Sequence, residues 1–418
     1  MAFGKIPRFS PSFSPKEAWT SLRYLMKDGP NDEVVHTFEK EFASFIGVEH
    51  AVMVPSARYG FYLLLKAYGV SAEDEVIIPG LTYFAIPAMV PLLKARPVFA
   101  DIGLTTHVLD PEAFRRAITP KTKVVVPTHL FGTPCDMEKI CQIAQEHNIK
   151  VIEDCAQSTG GKFKSRRVGA WGDAAYYTFG LTKNITTLSG AMITTNDKSV
   201  ADYVRKEIEE GGYTPKKKAA KEAVTGLMMY IATHPKIYWA TVHPAVVLGN
   251  KIGKDPIHER FGESERTYDQ IPSYYKEQGK SLAVQAAVGR IQLQRIEELN
   301  GARQKNGQAL DSGLQTIPQL AVPSYPTGAE PIYMSFVVHH SAREELTAAL
   351  RSRGIDTTTG YMNNLADHPL FQEYKSDCPN AKKANAELLH IPVHPNLTES
   401  DVQHIIQSIS EACKQLSP

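Results

Sequence analysis

Residues 123–154 read "KVVVPTHLFGTPCDMEKICQIAQEHNIKVIED". The stretch begins and ends with a short apolar run, at 123–130 and at 150–154, and the segment between them, 137–148, has the spacing of an amphipathic helix. A strand, a helix and a second strand form the unit that joins two parallel strands of one sheet. The stretch therefore predicts an α/β fold with a parallel sheet.

The same alternation continues on both sides of this stretch. Further apolar runs predict strands at 51–55, 75–79, 97–101, 174–179 and 191–196. Amphipathic segments lie between them, among them "SARYGFYLLLKAYG" and "YFAIPAMVPLLKA", and helical spacing also predicts a helix over 32–46. We predict a mostly parallel sheet covered on both faces, with ligands bound beyond the carboxyl ends of its strands.

The chain of 418 residues is long for a single hydrophobic core, so we expect more than one domain. Residues 1–30, rich in Pro, Ser and Phe, predict an extended N-terminal arm, and 31–212 the large domain. Residues 213–275 break the alternation and form a basic and apolar insert. Residues 276–418 predict a smaller α+β domain, whose last helix begins at the capping pair Thr398 and Asp401.

Composition excludes several classes of function. A net charge of +1 and the absence of a long basic run with interleaved aromatics argue against a nucleic-acid partner. The five scattered cysteines form no CxxC pair, which argues against a zinc site and predicts a reducing, cytoplasmic compartment. The most apolar region, 224–249, is interrupted by prolines, histidines and a lysine, so we expect no membrane-spanning helix there.

Two candidate reactive groups follow apparent strands of the same sheet. "VIEDCAQSTGG" (151–161) ends a strand with Glu153 and Asp154, which point to opposite faces if the strand continues. "TFGLTKNITTLSGAMITTND" (178–197) holds Lys183, 29 residues after Asp154. Taken alone, the acid is interpreted first as a turn cap and the lysine as a surface residue. Together they are a plausible cofactor site, in which a carboxylate holds a ring nitrogen and an amine forms an imine.

With these motifs the chain resembles the DegT/DnrJ/EryC1/StrS family of pyridoxal phosphate (PLP) aminotransferases. The resemblance covers about 30–210 and 281–410 and includes "VEHAVMVPSARYG", "EDEVIIPGLTYFAIPAMV", "IKVIEDCAQSTGG" and "LHIPVHPNLTESDVQHI". It implies the type I aspartate aminotransferase-like fold, with a seven-stranded large-domain sheet and a smaller C-terminal α+β domain. It also implies a homodimer with shared active sites.

The resemblance further implies roles for single residues. Lys183 falls on the family's Schiff-base lysine, which also moves a proton during catalysis. Asp154 falls on the carboxylate facing the pyridine nitrogen, and Gln157 on the residue that bonds the phenolic oxygen of the ring. Tyr83 matches the aromatic that stacks on the ring, and Thr178 stands where the family usually has a serine.

The residues that match the family's phosphate site depart from its pattern. Ser56, Ala57 and Arg58 replace a typical Ser-Gly-Thr loop, so a guanidinium takes the place of a hydroxyl. Gln278 stands where an asparagine reaches across the dimer to the phosphate. These changes leave PLP binding expected and put the family's usual substrate in doubt.

The sequence therefore predicts a PLP-dependent aminotransferase that moves an amino group from an amino acid, glutamate, to a nucleotide-linked keto-sugar. Three alternatives stay open: a lipid-linked or other non-sugar acceptor at a membrane surface, a PLP-dependent sugar dehydratase, and a PLP-binding regulator without turnover. Histidine replaces the lysine in the dehydratases that abandon the Schiff base, so Lys183 argues against that subtype.

The insert at 213–275 carries a lysine cluster ahead of the apolar run "GLMMYIATHPKIYW". We interpret it first as a helical segment that packs on the core or on a dimer partner. The alternative is contact with an anionic membrane surface or a lipid-linked substrate. His129, His368 and His394 are interpreted as loop and packing residues, and no cluster has the spacing of a metal site.

Overall fold

The computed structural model describes residues 5–26, 32–211, 214–234, 237–244, 248, 280–360 and 362–416. Its strands are β1 (His50–Val54), β2 (Glu75–Pro79), β3 (Leu81–Thr82), β4 (Arg96–Ala100), β5 (Thr122–Val125), β6 (Lys150–Asp154), β7 (Lys162–Phe163), β8 (Arg166–Arg167), β9 (Ala174–Thr178), β10 (Ala191–Thr195), β11 (Ala329–Glu330), β12 (Phe336–His339), β13 (Asn363–Asn364) and β14 (Leu388–Ile391). Its helices are α1 (Pro15–Leu25), α2 (Asp32–Ile46), α3 (Ala57–Ala67), α4 (Pro111–Ala117), α5 (Met137–Glu146), α6 (Lys198–Glu209), α7 (Lys216–Ala232), α8 (Ala283–Leu314), α9 (Arg343–Ser352), α10 (Pro379–Glu387) and α11 (Glu399–Leu416).

Seven strands form the central sheet in the order β1-β10-β9-β6-β5-β2-β4. Strand β10 runs antiparallel to both of its neighbours, and the pairs β9–β6, β6–β5, β5–β2 and β2–β4 are parallel. The predicted seven-stranded, mostly parallel sheet is confirmed. Its strands are apolar runs because both of their faces are buried, as in β2, whose last four residues are buried.

Helices cover the sheet and a second core lies in the C-terminal part. One apolar cluster joins α3, α5 and α6 to the sheet, and another joins α2 to the first half of α8. The end of α8 contributes Leu310 and Leu314 to a separate cluster with β12, β14, α9 and α11. Helix α8 therefore runs from the packing of the large sheet into the C-terminal core.

Two local expectations are wrong. The arm at 1–30 is not extended throughout, because Ser14 begins helix α1 with a capping box: its backbone N–H donates to Glu17 (2.9 Å) and Pro15 occupies the first helical position. The segment "YFAIPAMVPLLKA" forms two short 3₁₀ turns, Pro87–Met89 and Pro91–Leu93, because each proline lacks the N–H that a longer helix needs.

The last helix begins where the sequence indicates. The Thr398 backbone N–H donates to Asp401 (2.9 Å) and the Asp401 N–H donates to the Thr398 hydroxyl (3.2 Å), so the predicted cap of α11 is confirmed. All five cysteines are free thiols. No helix within the described ranges has both the length and the apolar character needed to cross a bilayer.

Candidate active site

The loops that carry the predicted site residues meet at one edge of the sheet. In register, Val54 of β1 faces Ala191 of β10, and Ala191 faces Thr178 of β9. Asp154 of β6 pairs with Tyr176 of β9. Because neighbouring strands are ~4.8 Å apart, the ends of β1, β9 and β6 lie within a few strand widths of each other.

Asp154 ends β6 as a buried carboxylate with a single backbone donor. Its Oδ1 accepts a hydrogen bond from the N–H of Ala156 (2.9 Å), two residues along the turn. Burial raises the pKa of this carboxyl, and the bond from Ala156, the phenol of Tyr176 and the amine of Lys183 oppose the shift. A buried carboxylate with so few donors gains stability from a further cationic or N–H partner.

Lys183 lies in a loop that is fixed by its neighbours. The Lys183 backbone N–H donates to the carbonyl of Gly180 (3.0 Å), and the side-chain amide of Asn184 donates to the carbonyl of Thr159 (2.8 Å). The surrounding protein lowers the pKa of the Lys183 amine, and the charge of Asp154 opposes that effect. A larger fraction of the amine is therefore neutral, which is the form that attacks a carbonyl carbon.

The amide of Gln157 is oriented by two residues that are distant in sequence. Its Oε1 accepts a hydrogen bond from the N–H of Phe131 (3.0 Å), and its Nε2 lies 3.8 Å from the sulfur of Met362. Phe131 holds that N–H in place with a left-handed backbone, φ 58°. Because the oxygen is already used, the Gln157 side chain presents its N–H donors.

Ser56 begins α3 and stands in the corner expected to hold a phosphate. Its hydroxyl oxygen accepts from the Tyr59 N–H (3.2 Å), which leaves the hydroxyl hydrogen available. Ala57 and Arg58 form the first turn of this helix, whose N–H groups and dipole favour an anion. Lys218 of α7 also lies within electrostatic range of Arg58.

Helix α7 packs directly beside the Lys183 loop. A Cβ added to Gly226 would lie 3.1 Å from Leu181, so the glycine allows the helix to approach this closely. Leu181 and Leu188 share one apolar cluster with Ala219 and Ala223 of α7. Burial lowers the pKa of Lys218, Glu222 opposes the shift, and the nearby Arg58 adds to it. The predicted insert thus contributes a cation beside the candidate phosphate corner.

The remaining predicted residues fall as follows. Tyr83 is half-buried, follows β3, and has its ring 4.9 Å from that of Phe84. Tyr83 follows β3, which pairs with β13 at Asn363–Asn364. Gln157 contacts Met362, the residue before β13. Both side chains therefore lie near the same segment of the C-terminal part. Thr178 is half-buried at the end of β9. Gln278 lies outside the described residues.

Sequence reasoning missed the residues that orient this site. Tyr176, Phe131 and Met362 were not among the candidates, and Lys218 was considered only as part of the lysine cluster of the insert. Register on neighbouring strands is the signal that points to Tyr176, because it pairs with Asp154 once the order β6–β9 is known. No local pattern indicates Phe131 or Met362, since their contacts with Gln157 span 26 and 205 residues.

The three histidines are engaged in packing and turns, in line with their interpretation. His129 is fully buried and its Nε2 lies 3.0 Å from Glu153. His394 is buried with Nε2 3.1 Å from the carbonyl of Pro7, and burial lowers its pKa to about 3. His368 caps the turn that follows it.

One buried group within the described ranges has metal-ligand chemistry: His129, Glu153 and Cys155. Its ligand atoms are already used. The Cys135 N–H donates to His129 Nδ1 (3.0 Å), and the two oxygens of Glu153 accept from three backbone N–H groups at 2.7 Å, as well as meeting His129. Burial also raises the pKa of the Cys155 thiol well above its usual range, so we assign the group to packing.

The donor set at the sheet edge fits PLP. The cofactor carries an aldehyde, a basic ring nitrogen, a phenolic oxygen and a phosphate. The buried Asp154 carboxylate, which accepts one backbone hydrogen bond, suits the ring nitrogen, and the Lys183 amine, whose pKa burial lowers, suits the aldehyde. The N–H donors of Gln157 suit the phenolic oxygen, and the start of α3 with its cations suits the phosphate.

Comparison with known proteins agrees with this chemistry. The sequence model of the DegT/DnrJ/EryC1/StrS aminotransferase family matches residues 23–233 and 265–410. The match covers most of the chain, and the stretch between the two matched segments, 234–264, lies inside the predicted insert.

Individual proteins match over nearly their whole length. "Spore coat polysaccharide biosynthesis protein SpsC" of Bacillus subtilis (strain 168) is 30% identical over 391 residues, 91% of this chain and 90% of that protein. A dTDP-3-amino-3,4,6-trideoxy-alpha-D-glucose transaminase of Streptomyces venezuelae is 28% identical over 395 residues, 94% of this chain and 89% of that one. The solved structure of the aminotransferase from Psychrobacter cryohalolentis covers 99% of both chains with a TM-score of 0.79 at 24% identity, which shows the shared fold.

Proposed function

The chain belongs to the DegT/DnrJ/EryC1/StrS family of PLP-dependent aminotransferases, and we propose that it moves an amino group from glutamate to a nucleotide-linked keto-sugar. The observation that carries this proposal is that a buried carboxylate, Asp154, and an amine whose pKa burial lowers, Lys183, lie close enough at one end of the sheet for the charge of each to affect the pKa of the other. The similarity to a transaminase whose name specifies a dTDP-sugar supports the class of acceptor.

When bound, PLP supplies an aldehyde that can carry the amino group and a ring that accepts the electron pair left on the substrate carbon. Lys183 is the residue to which we assign covalent attachment of the cofactor. We further propose that its neutral amine takes the proton from the carbon bearing the amino group and returns it later. The lowered pKa of Lys183 favours this role because it increases the fraction of the amine that is neutral and able to accept a proton.

The other residues hold the cofactor in this proposal. Asp154 keeps the proton on the ring nitrogen, Gln157 donates to the phenolic oxygen, and Tyr83 stacks on the ring. Ser56, Ala57, Arg58 and Thr178 hold the phosphate, and the partner copy of a homodimer supplies Gln278. The amino group leaves glutamate in the first half of the cycle and reaches the keto compound in the second, so the protein returns to its starting state.

A lipid-linked ketone is the second candidate acceptor. Helix α7, which exposes several apolar side chains, approaches the phosphate corner through Lys218, and this gives an amphiphilic acceptor a surface beside the site. The two candidates differ in the carrier of the ketone and share the same amino-transfer chemistry.

The test follows the two halves of the reaction. Borohydride treatment of the yellow purified protein should fix PLP to the peptide that contains Lys183. Glutamate should bleach the bound cofactor, and a panel of nucleotide keto-sugars and lipid-linked ketones should restore the colour only with the true acceptor. A protein that takes up no PLP contradicts the assignment of the site. Colour that persists with every amino donor favours a dehydratase or a regulator.

A further inference from the structure

The exposed apolar side chains of this protein are concentrated in one region. Within the described ranges, every large hydrophobic side chain that is exposed belongs to α1 or its C-cap, to α7, or to Ile237, Trp239 and Leu248 beyond α7. Trp19 is 68% exposed and Met228 is 63% exposed. The set on the two helices and on the C-cap of α1, which we name the α1–α7 face, is Trp19, Leu22, Met26, Val224, Met228 and Ile231. Such a concentration on otherwise polar surface indicates contact with an apolar partner.

The face is not used to hold the two helices together. Helices α1 and α7 contact each other, and the buried residues of that contact are small or turned inward: Ala219 and Ala223 of α7 pack around Phe13, with Ala18 of α1 at the rim. The exposed stripes have helical spacing of their own, since Val224, Met228 and Ile231 are four and three residues apart. Each helix therefore presents a second apolar stripe to solvent.

Cations continue these stripes. On α7, Lys217 and Lys221 precede Val224 at the same spacing of four and three, so they lie on the same helix face as the apolar residues. On α1, Lys16 and Arg23 flank Trp19. Every exposed charged side chain on these two helices is basic, because Glu17 is buried and Glu222 is half-buried.

The same face leads into an apolar cavity. Met228 also lines a cavity of about 260 Å³ between α7 and the N-terminal segment, together with Phe9, Met229 and Ala232. Its polar side is occupied, because Arg8 forms two hydrogen bonds with Asp356 (2.9 and 2.8 Å). An apolar cavity therefore lies behind the exposed stripe of apolar and basic residues.

We propose that the α1–α7 face docks on the surface of an anionic lipid bilayer. Trp19 and the apolar stripe of α7 enter the boundary between headgroups and acyl chains, and the long lysine side chains reach back to the anionic headgroups. Each lysine near such a surface contributes attraction that salt weakens. The docking is independent of the proposed amino transfer.

A second copy of the chain fits the face less well. A two-fold axis that passes through the face would place it against itself, and the exposed charges of the two described helices offer no acid to pair with Lys217, Lys221 or Arg23. Lysine is depleted from the buried centres of protein interfaces, because its charge loses water there without gaining a partner. An anionic bilayer supplies the missing charge.

The experiment is sedimentation of the full-length holoenzyme with vesicles of phosphatidylcholine, with and without phosphatidylserine. We expect binding to the phosphatidylserine vesicles, and weak binding to phosphatidylcholine alone or at high salt. Lys217→Glu with Lys221→Glu should lower the partition coefficient roughly 30-fold. Trp19→Ser with Met228→Ser should lower it roughly tenfold or more.

The matched control reverses two exposed lysines elsewhere, Lys40→Glu on α2 and Lys206→Glu on α6, and changes the net charge by the same amount. Circular dichroism and bound PLP absorbance check that each variant folds. The proposal is overturned if no vesicle binds, or if the control loses as much binding as the face variants. It is also overturned if Trp19→Ser with Met228→Ser lowers the oligomeric mass in solution and leaves vesicle binding unchanged, which would make the face an interface between copies.

Discussion

Strand β6 ends with two adjacent acids, Glu153 and Asp154, that differ in how many hydrogen bonds they accept. Glu153 is fully buried and accepts hydrogen bonds from the backbone of Gly169, Trp171 and Gly172, with His129 3.0 Å away. Asp154 is also buried but accepts one backbone hydrogen bond, from Ala156. The two side chains leave the strand on opposite faces.

The contrast separates a structural carboxylate from one prepared for a ligand. A buried charge is tolerated when its hydrogen-bonding capacity is filled, and Glu153 reaches that state within the chain itself. Asp154 does not, and burial raises its pKa while the nearby Lys183 amine opposes the rise. Hydrogen-bond saturation, not the residue type or its depth, distinguishes the two.

The largest expected effect comes from the amine near Asp154. Lys183→Ala should prevent covalent attachment of PLP and lower the rate of amino transfer from glutamate by roughly 10⁴-fold, because it removes both the nucleophile and the base. Borohydride trapping with mass spectrometry and stopped-flow absorbance measure the two losses. Lys206→Ala, on an exposed face, is the control, and retention of borohydride-stable PLP in Lys183→Ala would refute the assignment.

Asp154→Asn should act on chemistry with little effect on stability. We expect the rate of the glutamate half-reaction to fall roughly 10²- to 10³-fold, since a neutral amide no longer holds the proton on the ring nitrogen. The free energy of unfolding of the cofactor-free protein should change by less than about 1 kcal/mol, because few hydrogen bonds are lost. Stopped-flow kinetics and urea unfolding measure both. An unchanged rate would remove Asp154 from the site.

Glu153→Gln should do the reverse. An amide cannot accept all the donors that converge on Glu153, so we expect the free energy of unfolding to fall by about 2–4 kcal/mol. The half-reaction rate per folded molecule should stay within a few-fold of the original. Urea midpoints and active-site titration give the two numbers. A large loss of rate with intact stability would contradict the contrast drawn between the two acids.

The smallest effect is a shift in the pH at which Lys183 becomes reactive. Because burial lowers the pKa of this amine and Asp154 partly restores it, Asp154→Asn should lower the pKa further. Labelling of the cofactor-free protein with trinitrobenzenesulfonate, resolved by peptide, should then reach half its maximum rate at a lower pH. Glu153→Gln should leave that pH unchanged. A shift toward higher pH in Asp154→Asn would show that Asp154 does not act on the amine.

The strands of the large sheet were predictable because a strand buried on both faces is a short continuous run of apolar residues. Residues 75–79 and 150–154 match β2 and β6 at both ends, since both faces of each strand are apolar or paired. Helix α1 was predictable in principle, because Ser14 and Glu17 form a capping box, but the prolines and serines around it suggested an extended arm. In the amphipathic segment 83–95, Pro87 and Pro91 indicated a break in the helix, and the apolar spacing around them suggested a continuous one.

The candidate site was only partly predictable. Lys183, Asp154 and Gln157 belong to short motifs whose order resembles a known family, so their positions follow from sequence. The groups that orient them do not, because Met362 reaches Gln157 across 205 residues and Lys218 approaches Arg58 from the insert. Such contacts depend on how whole elements pack, and no local pattern encodes them.

Asp356 links the N-terminal segment to the insert through hydrogen bonds. Its carboxylate, only 1% exposed, accepts hydrogen bonds from Arg8 and from the phenol of Tyr238, residues that are 348 and 118 positions away. If Arg8 or Tyr238 moves away, the buried Asp356 carboxylate loses hydrogen bonds, which destabilises the contact with the remaining donor. Amide exchange in the two segments should consequently rise together under mild denaturant, as one cooperative opening unit rather than as two independently fraying ends.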